Sequence, residues 1–240
     1  MMNTKKLLCG LMAVSMLTAG LTACGPKKTA SSTGENIVEQ TTPEGNTVYD
    51  VKLDERDQET SHQYGEEDLG FVDTQTGKKV YLGMTAQEVE EVTGAAASSM
   101  VGGYQVYDGI VVQYSDENVA VSMIVAEGNM TDPGLTTRYA TARGVKLGMM
   151  MEDFKKTYGD EVDIPEDQNA EGEEGIAKSS TATRYIVKNG KKLEYIGTNL
   201  TKENRPEETA NLYLQDFLFN NESQSVTSMR ISTYDAIYGA

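Results

Sequence analysis

Val80-Tyr-Leu-Gly-Met-Thr-Ala-Gln-Glu-Val-Glu-Glu-Val-Thr-Gly94 and Val145-Lys-Leu-Gly-Met-Met-Met-Glu-Asp-Phe-Lys-Lys-Thr-Tyr-Gly159 are the stretches that decide the fold. They align without gaps at an offset of 65 residues, with five identities in fifteen positions. The shared residues are valine, leucine, glycine, methionine and the closing glycine. Self-similarity at a fixed offset indicates an internal repeat.

Each copy of the motif predicts a short strand, a tight turn and a helix. Val-x-Leu is typical of a short strand, and the glycine that follows lets the chain turn sharply. In the first copy Thr85 and Glu88 have the spacing of a capping box, which predicts a helix start. Gly94 suits the left-handed position that ends such a helix. In the second copy Gly148 and Gly159 take the two glycine positions, but Met150 replaces the capping threonine, so that helix start is weaker.

Strand signals follow both helices. Asp108-Gly109 and Asn189-Gly190 are two-residue hairpin signals between β-branched and aromatic runs. Further predicted strands lie at 119–125, 211–219 and 226–232. We therefore expect an α+β fold of two tandem units, residues 69–128 and 129–240, each a short helix packed on an antiparallel meander.

The first 23 residues are typical of an export signal. Lys5 and Lys6 precede an uncharged apolar stretch, which is too short for a membrane span. The closing Leu21-Thr-Ala-Cys24 resembles the lipobox of bacterial lipoproteins. That resemblance implies cleavage before Cys24 and attachment of diacylglycerol to its thiol. Cys9 leaves with the signal, so the mature chain keeps a single cysteine and no disulfide is expected.

Residues 24–68 are predicted to be a flexible acidic tether. The stretch to residue 46 is small, polar and interrupted by proline and glycine, and residues 54–68 lack Leu, Val and Ile. Residues 48–53 alternate weakly and predict a lone strand. His62, the single histidine, is expected to be solvated within the tether.

Composition excludes several kinds of function. The chain has 21 Lys and Arg against 37 Asp and Glu, a net charge of −16, which argues against a nucleic-acid partner. With one histidine and two cysteines, the chain cannot form a common zinc ligand set. A Ser-His-Asp or Cys-His site would have to use His62. We expect no cofactor and no metal site.

The motif resembles a known family. The motif combines a Leu82-Gly83-Met84 turn, a short helix ending in glycine and an antiparallel meander. This combination is similar to the β-lactamase-inhibitor-protein-like fold. The same group includes the small lipoprotein of the outer-membrane β-barrel assembly machinery. The run 141–148 followed by Lys156-Thr-Tyr-Gly159 is similar to repeats in exported lipoproteins of Gram-positive bacteria. The resemblance implies a binding or scaffolding module rather than an enzyme. Because the chain lacks the inhibitors' cysteine pairs and tryptophan, no binding residue carries over.

Tyrosines are the candidate partner-binding residues. The chain has 13 Tyr, 4 Phe and no Trp. Tyrosines on strands either pair across the sheet, which stabilises it, or stand on an open face as rigid interface anchors. The candidates for the second role are Tyr104, Tyr114, Tyr195 and Tyr213.

Two other stretches have weaker functional interpretations. The acidic run 160–174 offers carboxylates for calcium but lacks the spacing of a calcium loop, so a solvated loop is the simpler interpretation. Met149-Met150-Met151 offers soft-metal ligands, but Met149 aligns with Met84, which favours packing under the turn.

These observations predict a lipid-anchored binding or scaffold module on the extracytoplasmic face of a bacterial membrane. It would be held there by Cys24 and recognise a protein or cell-wall partner through its sheet face. The alternative is a secreted cell-wall hydrolase that uses carboxylates. A solute-binding lipoprotein would need repeated long helices, which the sequence does not predict.

Overall fold

Strands dominate this computed structural model, which describes residues 36–101, 103–127, 138–159, 179–201, 203–220 and 222–239. The strands are β1 Ile37–Thr41, β2 Thr47–Val51, β3 Gln63–Tyr64, β4 Gly70–Asp73, β5 Lys79–Tyr81, β6 Ser99–Val101, β7 Tyr104–Tyr107, β8 Ile110–Tyr114, β9 Ala120–Ala126, β10 Tyr139–Thr141, β11 Ser179–Asn189, β12 Lys192–Gly197, β13 Leu212–Asn220 and β14 Ser225–Thr233. The helices are short: α1 Gln58–Ser61, a 3-10 helix Glu66–Leu69, α2 Ala86–Thr93, α3 Met151–Tyr158 and α4 Tyr234–Tyr238.

The expected α+β fold class is wrong. Among the described residues the protein is mostly β, with 46% in strands and 17% helical. Strands from both copies of the motif join one antiparallel sheet of order β3-β12-β11-β13-β14-β9-β8-β7-β6, where β14 pairs with β9. The two meanders therefore do not form separate helix-on-meander units, because each would leave an unpaired edge strand that the other satisfies.

A second layer covers one face of the nine-stranded sheet. It consists of α2, α3 and a three-stranded sheet of order β10-β4-β5. The main core lies between the layers and includes Val89 of α2, Phe154 of α3 and Phe71 of β4, packed against Phe217 and Met229 of the large sheet. On the opposite face α4 packs in a smaller cluster with Tyr185, Leu212 and Leu214.

The repeated motif has the same geometry in both copies. Gly83 donates its amide to the Ala120 carbonyl at the start of β9, and Gly148 donates to the Val226 carbonyl in β14, both at 2.8 Å. The next residue in each copy, Met84 or Met149, accepts the return bond from the same strand residue. Each turn is thus fastened to the beginning of one strand of the large sheet, with its methionine packed against the core.

The helix ends follow the sequence signals. Thr85 and Glu88 form the complete capping box, whereas Met150 makes no side-chain cap. Gly94 and Gly159 end the two helices at φ values of 73° and 80°. The structure therefore confirms both helix starts and the left-handed stop at Gly94, whereas Gly159 ends its helix with positive φ but an extended ψ of 173°.

The expected tether differs from the structure over residues 36–68. β1 pairs with β2, and Val51 is buried against Val72 of the small sheet. Chain atoms of Lys52 pass so close to Gly144 that a Cβ there would meet the Lys52 carbonyl oxygen at 2.5 Å. This segment has few large apolar residues because backbone and ionic contacts, rather than apolar burial, hold much of it in place. Residues 1–35, with the signal and Cys24, lie outside the described residues.

A buried ion pair explains how the acidic stretch is held. Arg143 donates through Nε to Asp68 at 2.7 Å and through Nη1 to the Ser61 carbonyl at 2.8 Å. Burial alone would lower the pKa of Arg143, but the charge of Asp68, together with Tyr64, Tyr158 and the hydrogen bond to Asp68, outweighs burial and the pKa is raised. Both side chains are almost fully buried, so each needs the other to compensate its lost hydration.

Candidate functional site

A cleft of about 710 Å³ opens between the small sheet and the large one. Its volume lies in the range of small-molecule and peptide-side-chain sites. Its apolar lining is formed by Leu69, Leu82, Val119, Ala120 and Val121. Its polar and aromatic lining is formed by Glu66, Glu67, Lys79, Tyr81, Lys188, Tyr213 and Thr233.

The repeated turn shapes one wall of the cleft. Leu82 and Gly83 follow β5, and Gly83 is bonded to Ala120, which also lines the cleft. Gly83 has a φ of 88°, and an ideal Cβ there would meet no atom within 4 Å. The glycine is therefore required by its backbone conformation and not by crowding.

Glu67 is a half-buried charged group of the cleft. Burial raises the pKa of its carboxyl and the charge of Asp68 raises it further, while a hydrogen bond with its own backbone and the charges of Lys79 and Arg56 oppose the rise. Among the described residues Glu67 forms no ion pair within 4.0 Å, whereas its neighbour Glu66 pairs with Lys188 at 3.1 Å. In this part of the chain the cleft therefore holds one neutralised pair, Glu66 with Lys188, and two charged groups without an ion pair within 4.0 Å, Glu67 and Lys79.

Gly65 leaves room for that carboxylate. A Cβ built at Gly65 would lie 2.2 Å from Oε1 of Glu67, so a larger residue would make the flexible end of the Glu67 side chain move. The negative potential reaches the aromatic wall as well. Burial, followed by the charges of Glu67 and Glu66, raises the pKa of the Tyr81 hydroxyl.

Of the four candidate tyrosines, Tyr213 lines the cleft. Tyr213 and Tyr195 both lie beside Ile186, one on each neighbouring strand, so they share the core-side face of the sheet. Tyr195 is half-buried and packs against His62, with ring centroids 4.6 Å apart. His62 was expected to be solvated, but it is half-buried and its ring packs on that of Tyr195.

The other two candidate tyrosines lie elsewhere. Tyr114 packs against the main core and its hydroxyl lies 2.8 Å from that of Tyr107. Tyr104 lies three positions before the buried Tyr107 on the same strand, which directs it to the opposite face. The four side chains therefore do not form one continuous binding face.

Arg184 is a second unusual group, close to the packed layer. It is fully buried, and its guanidinium lies 4.3 Å from the ring centre of Tyr195 and 5.0 Å from that of Tyr158. Its Nε donates to the Tyr64 hydroxyl at 2.6 Å, while Nη1 and Nη2 have no hydrogen-bond partner among the described residues. The ring faces of Tyr195 and Tyr158 therefore offset part of the cost of burying the Arg184 charge.

Sequence reasoning missed Glu67 as a site residue, because it stood in the stretch expected to be a tether. Its local signal is Gly65, two positions earlier, but glycine is common in polar stretches that bind nothing. The acidic run 160–174 lies outside the described residues. In the part of the chain that is described, no three His, Cys, Asp or Glu side chains are grouped to hold a metal ion.

Comparison with known proteins adds no further constraint: no family model, curated protein or solved structure matches the chain significantly. Within the described ranges, no helix has the length and apolar character needed to cross a membrane.

Proposed function

We propose that the chain is a binding module, anchored by lipid at Cys24 on the extracytoplasmic face of the membrane, which recognises a protein or cell-wall partner through the cleft. The observation that supports it best is the cleft itself, where a half-buried carboxylate, apolar side chains and two phenol rings converge. Pockets that combine apolar walls with a few placed polar groups are the usual form of binding sites.

The make-up of the cleft is consistent with recognition through the sheet face. Tyr213 and Thr233 belong to the large sheet, while Lys79 and Tyr81 belong to the small one. The partner site is thus the part of the core-side face that the small sheet leaves open. Tyr213 is the aromatic anchor expected to contribute most on truncation.

A capture experiment with matched variants tests this proposal. The full chain is expressed in its native host with a C-terminal tag, and partners are captured from solubilised envelopes with the wild type, Tyr213→Ala and Tyr104→Ala. We expect one partner to be lost with Tyr213→Ala and retained with Tyr104→Ala, which lies on the other face. Equal retention by both variants would place the partner site outside the cleft.

One observation favours the alternative of a carboxylate hydrolase: a raised pKa suits a general acid. Hydrolysis would also need a second carboxylate as base or nucleophile. Glu66 is ion-paired with Lys188 and its side chain is 70% exposed, which makes it a poor second carboxylate. Release of soluble fragments from purified cell wall by the wild type, abolished by Glu67→Gln, would favour the enzyme over the binding module.

A further inference from the structure

We propose that the cleft binds a primary ammonium group carried on an apolar stem, such as a lysine-type side chain of a protein or a wall peptide, with Glu67 as its counter-ion. This inference rests on the proposed function, because it names the chemistry of the partner at the same site.

Glu67 is the group in the cleft with which a cationic ligand would pair. Lys188 is already paired with Glu66. Glu67 is half-buried and unpaired with any cation within 4.0 Å in the described part of the chain. An ammonium group placed beside it would restore the interaction energy that the carboxylate lost when water was removed.

The lining of the cleft suits an apolar stem. Leu69, Leu82 and Val121 offer an apolar path for methylene groups, while the rings of Tyr81 and Tyr213 offer π-faces that attract a cation. A carboxylate ligand would instead pair with Lys79, the other charged lining residue without an ion pair in the described part of the chain. The charge of the whole protein decides between the two ligands.

The field of the whole protein favours the cationic ligand. The net charge of −16 draws cations towards the surface and repels anions. The charges of Glu67 and Glu66 act on Tyr81 in the cleft as well, where they add to the effect of burial in raising its pKa.

The test is a titration of the full chain, in detergent micelles, with Nα-acetyl-lysine amide, followed by leucine and valine methyl resonances. We expect saturable shifts at Leu69, Leu82, Val119 and Val121, which line the cleft. The Nζ-acetylated form of the probe should bind about tenfold more weakly or not at all, since it lacks the charge.

Variants separate a specific counter-ion from general attraction. Glu67→Gln should weaken binding of the probe about tenfold or more. Gly65→Ala should also weaken binding, because a Cβ there displaces the Glu67 carboxylate without removing its charge. Glu152→Gln is the control: it removes the same charge from an exposed position on α3 that does not line the cleft, and it should leave affinity within about twofold.

The pH dependence gives an independent readout. Glu67 must be ionised to pair with an ammonium group, so affinity should rise as pH rises through its raised pKa and then level off. The charged groups that shift the pKa of the Glu67 carboxyl are Asp68, Lys79 and Arg56. The charges of Glu67 and Glu66 in turn raise the pKa of Tyr81. The rise in affinity should vanish in Glu67→Gln.

Equal binding of the acetylated probe, or equal loss in Glu152→Gln and Glu67→Gln, would overturn the inference. Methyl shifts of the same residues with acetate, lost in Lys79→Gln, would show instead that the cleft takes a carboxylate. Either result would leave the proposed function intact if capture of a partner still depends on Tyr213. Loss of that dependence, with the probe still bound, would overturn the proposed function and keep the ammonium site.

Discussion

Gly83 and Gly148 occupy equivalent positions in the two copies of the turn, although 65 residues separate them. Their φ values are 88° and 79°, and each donates its amide to the beginning of a strand in the large sheet at 2.8 Å. Neither position is crowded, since a Cβ at either would meet no atom within 4 Å. The equivalence of the two turns therefore lies in backbone conformation and hydrogen bonding.

Gly83→Val and Gly148→Val should each lower the free energy of unfolding by more than about 1 kcal/mol. A β-branched residue is strained at positive φ whatever the surrounding space. Urea unfolding followed by circular dichroism measures the loss. Gly83→Asn and Gly148→Asn are the controls and should cost less, because asparagine tolerates positive φ. Unchanged unfolding curves for both valine variants would contradict the equivalence of the turns.

Asp68→Asn should lower the free energy of unfolding by about 3–5 kcal/mol, because it leaves the buried Arg143 without its counter-charge. Denaturant titration measures this loss. Asp153→Asn provides the comparison: it breaks the exposed pair with Lys156 and should cost no more than about 0.5 kcal/mol. Similar costs for the two substitutions would mean that residues 54–68 are not anchored by the buried pair.

Glu67→Gln should stabilise the folded protein at neutral pH. Because the pKa of Glu67 is raised in the folded state, its ionised form is penalised there relative to the unfolded chain. The penalty is complete above the folded-state pKa and disappears as pH falls below the ordinary value of 4.5. The difference in melting temperature between variant and wild type should therefore be positive at pH 7 and close to zero at about pH 3.5. A difference that does not change with pH would show that packing, not charge, is responsible.

Cys24→Ser should abolish lipidation, because only a thiol accepts the diacylglyceryl group in the lipobox resemblance. Mass spectrometry and detergent-phase partitioning measure the outcome in the native host. Cys9→Ser is the control, since Cys9 is expected to leave with the signal, and it should be lipidated normally. If Cys24→Ser still loses its signal and enters the detergent phase, the anchor lies elsewhere.

Local signals predicted the parts of the fold that depend on near neighbours. The turn glycines, the Thr85 and Glu88 cap and the hairpin at Asp108-Gly109 each follow from residues a few positions apart. Such features are fixed by backbone conformation and short-range hydrogen bonds, which a single sequence displays directly.

Long-range pairing could not be predicted in the same way. Asp68 and Arg143 are 75 residues apart, and their ion pair turns an acidic stretch that resembles a tether into part of the fold. The pairing of β14 with β9 joins the two copies into one sheet, and nothing in either strand alone specifies it. The cleft depends on both the Asp68–Arg143 ion pair and the pairing of β14 with β9. Its lining combines the 3-10 helix that carries Glu67 with strands from the second copy.

The tyrosine hypothesis shows the same limit. Alternation along a strand indicates which residues share a face, but it does not indicate which face a second layer covers. Tyr195 and Tyr213 flank the same Ile186, yet the first packs against His62 and the second lines the cleft. Their different roles depend on where residues 58–69 and the small sheet lie over the large sheet.

Site-specific photocross-linking tests the central claim, that the cleft is the partner site, most directly. A benzophenone amino acid is placed at position 213 or at position 104 in the full, membrane-anchored chain, and cells are irradiated. We predict that the benzophenone at position 213 gives one cross-linked product and that the benzophenone at position 104 does not give it. The yield of that product should fall when the chain labelled at position 213 also carries Glu67→Gln. A product formed from position 104 and not from position 213 would contradict the claim and place the interface on the opposite face of the sheet.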